Sequence, residues 1–570
     1  LKKKAVRAIL AGCMALSVLS ASAVSAEDAS PVKVSPSKNL IVLIGDGMGP
    51  AQVSAARNYL MYNKGIDHLT LDSIYVGQAT TYADRGEDGG TIVSGVVTDS
   101  ASAGTAFATG NKTYNAAISI SNEDVAVPFA SVIEAAELSG KSTGLVTTAR
   151  ITHATPAVYA SHVRSRDNET AIASQYLESG VDVLLGGGSS FFLSKDEKGK
   201  RSDKSIIADF ESKGYDYVTD KAGLNALKAD NGKVLGLFGG SHVSYVPDRT
   251  DAVPALADMT SKALSILSQD EKGFAVMIEG GRIDHAAHAN DFPTTVQEVL
   301  DFDAAVKVAL DFAKKDGNTS VVITADHETG GLSLSRDNIY ELNLELWDQQ
   351  KNSSEFIAGK LKEAKTIEEV KSIVQANTWI QDLTDEEAAY ILAGDGSSYA
   401  QEGSYNAVVS KRLLIGWSGH GHSAVDVGVW AYGPIADLVK GQIDNTRIAM
   451  ASAEVIGVDL AGATAKLQAK YLYPKFKVTR DGQVLYPAKA LAETLGAKVA
   501  WSESTRTASI THEGNTIAVN LDSKKVTVNG AASSLASDVD NGKLYLPLEA
   551  FNTLTGKKMT WDTLSERIVK

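Results

Sequence analysis

One cysteine in 570 residues, Cys13, leaves the chain almost without thiol chemistry. A lone thiol closes no disulfide, so stability has to come from a buried core, and any metal has to be held by His, Asp, Glu or hydroxyl oxygen. A basic excess is missing as well. The chain has 55 Lys+Arg against 69 Asp+Glu, a formal charge of −14, so no nucleic acid binding is expected. Nor does the N-terminus carry a long hydrophobic run. Ala8 to Leu19 is apolar but too short to cross a bilayer. With Lys2, Lys3, Lys4 and Arg7 before it and Val24, Ser25 and Ala26 after it, the stretch reads as a secretion signal over residues 1–26, cleaved near Ala26. "LAGC" at Leu10 to Cys13 resembles a lipoprotein box but follows Arg7 too closely for an apolar region to precede it. Cleavage would leave no cysteine, 51 basic against 69 acidic residues and a formal −18. A secreted or cell-surface location is the expectation.

What is present is a repeated alternation. "KNLIVLIGDGMG" is a buried-strand run ending in a glycine-rich turn, and "STGLVTTA", "VDVLLGGG", "GFAVMIEGG" and "TSVVITADH" repeat the pattern between helix-like segments. Strands alternating with helices predict an α/β fold, a three-layer sandwich around a largely parallel central sheet. Residues 340–409 break the alternation with charged helical sequence and read as a helical insertion; "VGVWAYG" resumes it. After Ala461 the texture changes. "LYPAKALAETLGAKVAW" and "YLPLEAFNTLTGKKMTW" repeat at a 60-residue offset, which aligns Pro487 with Pro547 and Trp501 with Trp561. The expected organisation is a large α/β domain over 27–460, a linker over 461–472 and a small α+β domain over 473–570.

Ligands for cations collect where apolar runs end. Asp284 and His288 in "EGGRIDHAAH" stand at i and i+4 and share a helix face. Asp326 and His327 follow a strand directly, Asp46 lies between glycines in "GDGMG", and "GHGHS" offers His420 and His422. Each element alone has an ordinary reading as a turn acid or a solvated face. Their recurrence at successive strand ends, where open sheets bind ligands, points to a multi-metal site. Ser100 in "VVTDSASAGTAFATG" has no GxSxG elbow and no base beside it. A zinc ion lowering its pKa would make it a nucleophile, and the small residues after it suit a packed helix whose N-terminal N–H groups favour phosphate. The competing reading is an Ala/Gly helix with a serine cap.

"VTDSASAGTAFATG" resembles the nucleophile signature of the alkaline phosphatase family. "GDGMG", "THATPA", "HVRSR", "EGGRIDHAAH", "TADHETGG" and "HSAVDVGVWAYGP" are similar to its other blocks, in the family's order, over roughly Asn39 to Asp459. The resemblance implies an alkaline phosphatase-like fold and hydrolysis of phosphate monoesters through a phosphoserine at Ser100. It implies two Zn2+ and one Mg2+: Asp284, His288 and His422 on the first zinc; Asp46, Asp326, His327 and Ser100 on the second; Asp46, Thr155 and Glu279 on magnesium. Arg166 in "HVRSR" matches the phosphate clamp, with Arg164 one alignment slip away. Asp99, His153, His285 and His420 stand beside these groups. His153 replaces an Asp found in some members, which leaves the identity of the third metal open, and His285 replaces Lys or Trp. The family also implies a homodimer as one expected state.

Residues Tyr473 to Lys570 resemble a copper amine oxidase N-terminal-like domain. His512 stands without partner ligands there, so the name implies no copper, and contact with the cell surface is the expected role. Three alternatives remain at this point. A sulfatase would need "SxPxR" where Ser100 is followed by "ASA". A phosphodiesterase of the same superfamily would lack the arginine clamp and the third metal, and a metal- or phosphate-binding surface protein would not turn substrate over.

Overall fold

The computed structural model describes residues 35–88, 91–479 and 481–570; the expected signal over 1–26 lies outside them. Ten strands form the central sheet: β1 (Asn39–Gly45), β2 (Tyr75–Thr80), β3 (Ser142–Arg150), β4 (Val183–Gly187), β5 (Tyr215–Val218), β6 (Lys233–Leu237), β7 (Phe274–Gly280), β8 (Thr319–Ala325), β9 (Val427–Tyr432) and β10 (Gly441–Asp444). Their spatial order is β10-β2-β9-β8-β1-β7-β3-β4-β6-β5. Every pairing is parallel except those of β9, which runs against both β8 and β2. The three central strands β1, β7 and β8 are buried along their whole length. Helices on both faces cover such strands, which is why they read as continuous apolar runs without alternation. The long helix Phe292–Asp316 buries Val296, Val299, Phe302 and Val306.

The insertion folds as four helices, Ser354–Leu361, Ile367–Asn377, Asp385–Ala393 and Gln401–Leu413. Ser353, Thr366 and Thr384 cap the first three, and Glu369 and Glu387 complete capping boxes in the second and third. Ile357, Val370, Val374, Ile391 and Tyr405 give it a core of its own, seated on Phe292 and Val296.

Residues 461–472, expected as a linker, are structured. Leu460–Lys470 is a helix capped by Asp459, whose side chain accepts from Gly462 N, and Ala463 packs on Ala130 and Ala135. "AGATAKLQAK" is rich in strong helix formers, and that local preference overrides the linker reading. The strand Tyr471–Pro474 follows and pairs with both Val125–Ala126 and Arg567–Val569. In the C-terminal domain the two repeats meet directly. Val484–Pro487 lies antiparallel to Lys543–Pro547, and each leads into a helix, Ala488–Thr494 or Leu548–Thr555. Leu491, Phe551, Leu554, Ile510, Ile517 and Ile568 form its core beside a five-stranded antiparallel sheet.

Candidate active site

The parallel register sets the site. Gly45 at the end of β1 stands beside Gly280 on β7 and Ala325 on β8. Asp46, Glu279 and the pair Asp326 and His327 therefore emerge from three adjacent strand ends, about 5 Å apart. Thr147 on β3 pairs with Glu279 and donates to its Oε2 at 2.5 Å. Gly47 has a φ of +68°, and a Cβ there would lie 2.8 Å from the Asp284 Cα. The glycine turn is thus what lets the Asp46 loop close onto the helix Arg282–His288, and Gly47 N donates to Asp326 Oδ1 at 3.0 Å.

Three imidazoles are oriented by what their δ nitrogens meet. His422 Nδ1 lies 2.8 Å from the Thr98 carbonyl and His288 Nδ1 contacts the His420 carbonyl. His327 Nδ1 is 3.3 Å from Thr329 Oγ1, which itself donates to Asp284 Oδ1. Partners of this kind leave each Nε2 lone pair free for a cation. Those Nε2 atoms converge on the carboxylates. His288 Nε2 is 3.3 Å from Asp284 Oδ2 and 3.1 Å from His422 Nε2; His327 Nε2 is 3.2 Å from Asp326 Oδ2 and 3.6 Å from Asp46 Oδ1. Among the described residues three ligand clusters emerge: Asp46, Asp326 and His327; Asp284, His327 and His422; and Asp46, His153 and Glu279. His327 stands between the first two, stacked on His422 at 3.5 Å.

Four buried carboxylates, Asp46, Glu279, Asp284 and Asp326, crowd together here. Burial, then repulsion from Asp326, Asp284 and Glu279, pushes the Asp46 carboxyl far above its ordinary range. Burial carries Glu279 up to about 7. Burial also pushes Asp284 and Asp326 up, but the neighbouring imidazoles carry both below their usual values, and Asp284 in turn raises His288 to about 9 against its own burial. Both Asp46 oxygens, Asp326 Oδ2, Glu279 Oε1, Thr155 Oγ1 and His153 Nδ1 are buried without a hydrogen-bond partner. Unpaired atoms of this kind are rare in folded proteins, and hard oxygen and imidazole donors in this number fit divalent cations.

Ser100 opens the helix Ser100–Thr109, all of whose residues are buried. Asp99 is the cap, accepting from Ser102 N, which displaces the serine-cap reading. Gly104 would bring a Cβ to 3.0 Å from Val158, so small residues are what admit the helix here. Ser100 Oγ comes within 3.1 Å of His327 Nε2. Arg166 Nη1 donates to Asp99 Oδ2 at 3.0 Å and Nη2 to His153 Nε2 at 3.0 Å. Burial, then the neighbouring Arg166 and His285, holds His153 well below its usual value, consistent with an accepting, neutral ring. Arg164 points elsewhere, to the Tyr473 carbonyl. His420 Nδ1 meets the His288 carbonyl at 2.7 Å, and its ring stacks on Tyr399.

His242 joins this group without a signal in the sequence. Its ring lies 4.1 Å from His285 and 5.8 Å from His153, and Arg150 contacts it. A single histidine in "GGSHVS" gave no spacing to any ligand, so only the fold brings it in. Thr329 and Thr98, which set the imidazoles, are silent in the sequence because a hydroxyl and a carbonyl carry no motif of their own.

Comparison with known proteins agrees with this geometry. Residues 37–457 match the family model described as alkaline phosphatase, and residues 468–569 the one described as copper amine oxidase N-terminal domain. Alkaline phosphatase 3 of Bacillus subtilis (strain 168) is 42% identical over 428 residues, which cover 72% of this chain and 87% of that protein. The crystal structure of a cold-active alkaline phosphatase from the psychrophile Shewanella sp. superimposes with a TM-score of 0.65 at 36% identity, over 73% of this chain and 99% of that one. Thermus thermophilus alkaline phosphatase gives 0.66 at 30% identity, over 75% and 92%.

Proposed function

The chain belongs to the alkaline phosphatase family, a phosphomonoester hydrolase by that membership, and from this premise we propose that it works through a phosphoserine at Ser100 beside two zinc ions and one magnesium ion. The observation that carries the proposal is the convergence of three Nε2 atoms on buried carboxylates, with Ser100 Oγ at 3.1 Å from one of them, His327 Nε2. Asp284, His288 and His422 would hold one zinc and Asp46, Asp326 and His327 the other. Asp46, Glu279 and Thr155 would hold magnesium, with His153 close enough to join them. When bound, the ions supply Lewis-acid charge that lowers the serine pKa and neutralises the leaving oxygen.

The residues of the chain do the rest. Ser100 Oγ forms a bond to phosphorus as the ester oxygen departs, and the alcohol leaves with a proton. Water then attacks the phosphoserine, releasing inorganic phosphate and returning the hydroxyl. Arg166 is anchored by one hydrogen on each terminal nitrogen, to Asp99 and to His153. Each nitrogen keeps a second hydrogen, so the fork can grip two phosphoryl oxygens without leaving its anchors. Nothing in this arrangement reads the alcohol, and broad monoester specificity follows. Residues 1–26 support export; N-terminal sequencing of protein from the medium tests that.

Ser100→Ala removes the attacking oxygen and leaves every nitrogen and carboxylate ligand in place. Turnover of an aryl phosphate should fall by about a thousandfold or more while elemental analysis shows unchanged zinc. Full activity in this variant would refute the covalent mechanism.

A further inference from the structure

The segment that carries Arg166 is held from outside the catalytic domain as well as from within it, where Tyr114 Oη donates to Arg164 O at 3.1 Å and Arg164 Nη1 reaches Glu123 O at 3.4 Å. Arg166 N donates to Ala116 O at 2.8 Å, a backbone anchor within that domain beside those of its guanidinium on Asp99 and His153. Two residues earlier, Arg164 Nη1 donates to Tyr473 O at 2.6 Å; two residues later, Asn168 Nδ2 donates to Leu564 O at 2.9 Å. Both acceptors are backbone carbonyls of the C-terminal segment. Asn168 stands at the N-cap of the helix Glu169–Ser179, where asparagine usually accepts from the first turn, yet it makes no capping bond. Its amide is turned to the other domain instead.

Neighbouring contacts tie the same region. Tyr473 and Pro474 pair with Ala126 and Val125. Asp124 takes ion pairs from Lys475 and Lys543, and Arg567 reaches Glu178 in the last turn of the Asn168 helix. The C-terminal domain therefore grips Arg164 before the guanidinium residue, Asn168 after it, and the far end of the helix that follows.

We propose that the C-terminal domain positions Arg166 for the phosphoryl group, with Arg164 and Asn168 as positioning residues on either side. The inference rests on Arg166 being the phosphate clamp. A bidentate fork must be held to within a fraction of an ångström to keep its advantage, and a site on a loop needs an outer support to do so. Here that support is two carbonyls from a separate domain.

Asn168→Asp in the full-length chain separates this role from a structural one. The carboxylate is isosteric and at least as good an N-cap, so the helix is not weakened, but it cannot donate to Leu564 O. Arg164→Met is the second variant; it keeps an unbranched side chain and loses the donor to Tyr473 O, together with the longer contact of the same nitrogen to Glu123 O. For each, KM for an aryl phosphate and the inhibition constant of inorganic phosphate should rise together by about three- to tenfold, with kcat changed less than about twofold. Arg164→Lys, which restores a donor, should recover most of the loss. In an Arg166→Ala background the Asn168→Asp effect should vanish, because nothing is left to position. Folded variants with unchanged KM and phosphate inhibition, or an equal effect in the Arg166→Ala background, would overturn the proposal. Arg166→Ala alone leaving KM and phosphate inhibition untouched would instead remove the clamp reading beneath it.

Discussion

At the scale of single residues, His153 shows how one side chain is asked to do two things. Its Nε2 accepts from Arg166, and its Nδ1 is buried without a partner beside Asp46 and Glu279. Imidazole suits zinc, whereas magnesium prefers an all-oxygen shell. His153→Asp would make the third cluster oxygen-only while replacing a neutral acceptor of Arg166 by a charged one. Elemental analysis of the purified variant should show a higher magnesium-to-zinc ratio, with KM raised about severalfold as Arg166 is drawn toward the new carboxylate. An unchanged metal ratio would mean that His153 takes no part in the third site. The sequence made most of this cluster visible, because Asp and His at strand ends are uncommon enough to notice. It did not show Thr329, whose relevance exists only once β8 and the helix Arg282–His288 are brought together, or His242, which only the fold sets beside His285 and His153.

Secondary-structure elements were legible where a single local rule governs them. The central strands β1, β7 and β8 are apolar throughout because both faces are covered, and the paired repeats of the C-terminal domain announce themselves by their offset. The reversed direction of β9 was not visible, since strand orientation leaves no mark on composition. The helix Leu460–Lys470 reads as a linker because its Ala/Lys-rich texture marks only a change between two modules, and nothing local points to the packing of Ala463 on Ala130 and Ala135. An element-scale prediction concerns the helix Val132–Ser139 and its Glu137. Burial raises that carboxyl from its usual 4.5 to about 7, with the Thr143 hydroxyl opposing the shift only in part. Between those two values the folded chain keeps a proton that the unfolded chain has lost, so stability falls as pH rises through the window. Glu137→Gln removes the linkage and keeps an acceptor for Thr143. Its melting temperature should exceed that of the parent by about 1–3 °C at pH 8 and match it near pH 4. An offset of the same size at both pH values would place the effect in packing and not in the carboxyl.

For the whole molecule, the question is whether the C-terminal domain is an appendage or part of one cooperative unit. The strand Tyr471–Pro474 belongs to both halves, pairing with Val125–Ala126 on one side and Arg567–Val569 on the other. Arg567 is 5% exposed, and that figure matters because its partners come from three places. Nη2 donates to Glu178 of the catalytic domain at 2.8 Å, Nε donates to Asp562 at 3.0 Å, and the guanidinium lies 4.2 Å from the Tyr471 ring centre. Truncating such a group leaves Asp562 and Glu178 without their cation and opens space under the shared strand, at a cost of about 1–3 kcal/mol. That loss falls on the coupling between halves, since the core built on Leu491, Phe551 and Ile517 does not include the guanidinium. Calorimetry of the parent should therefore show one transition, and Arg567→Ala should split it, with the C-terminal domain melting first. A variant that melts in a single transition at the parental temperature would show that the two halves are held together without Arg567, and the strand pairing would then have to carry the coupling by itself.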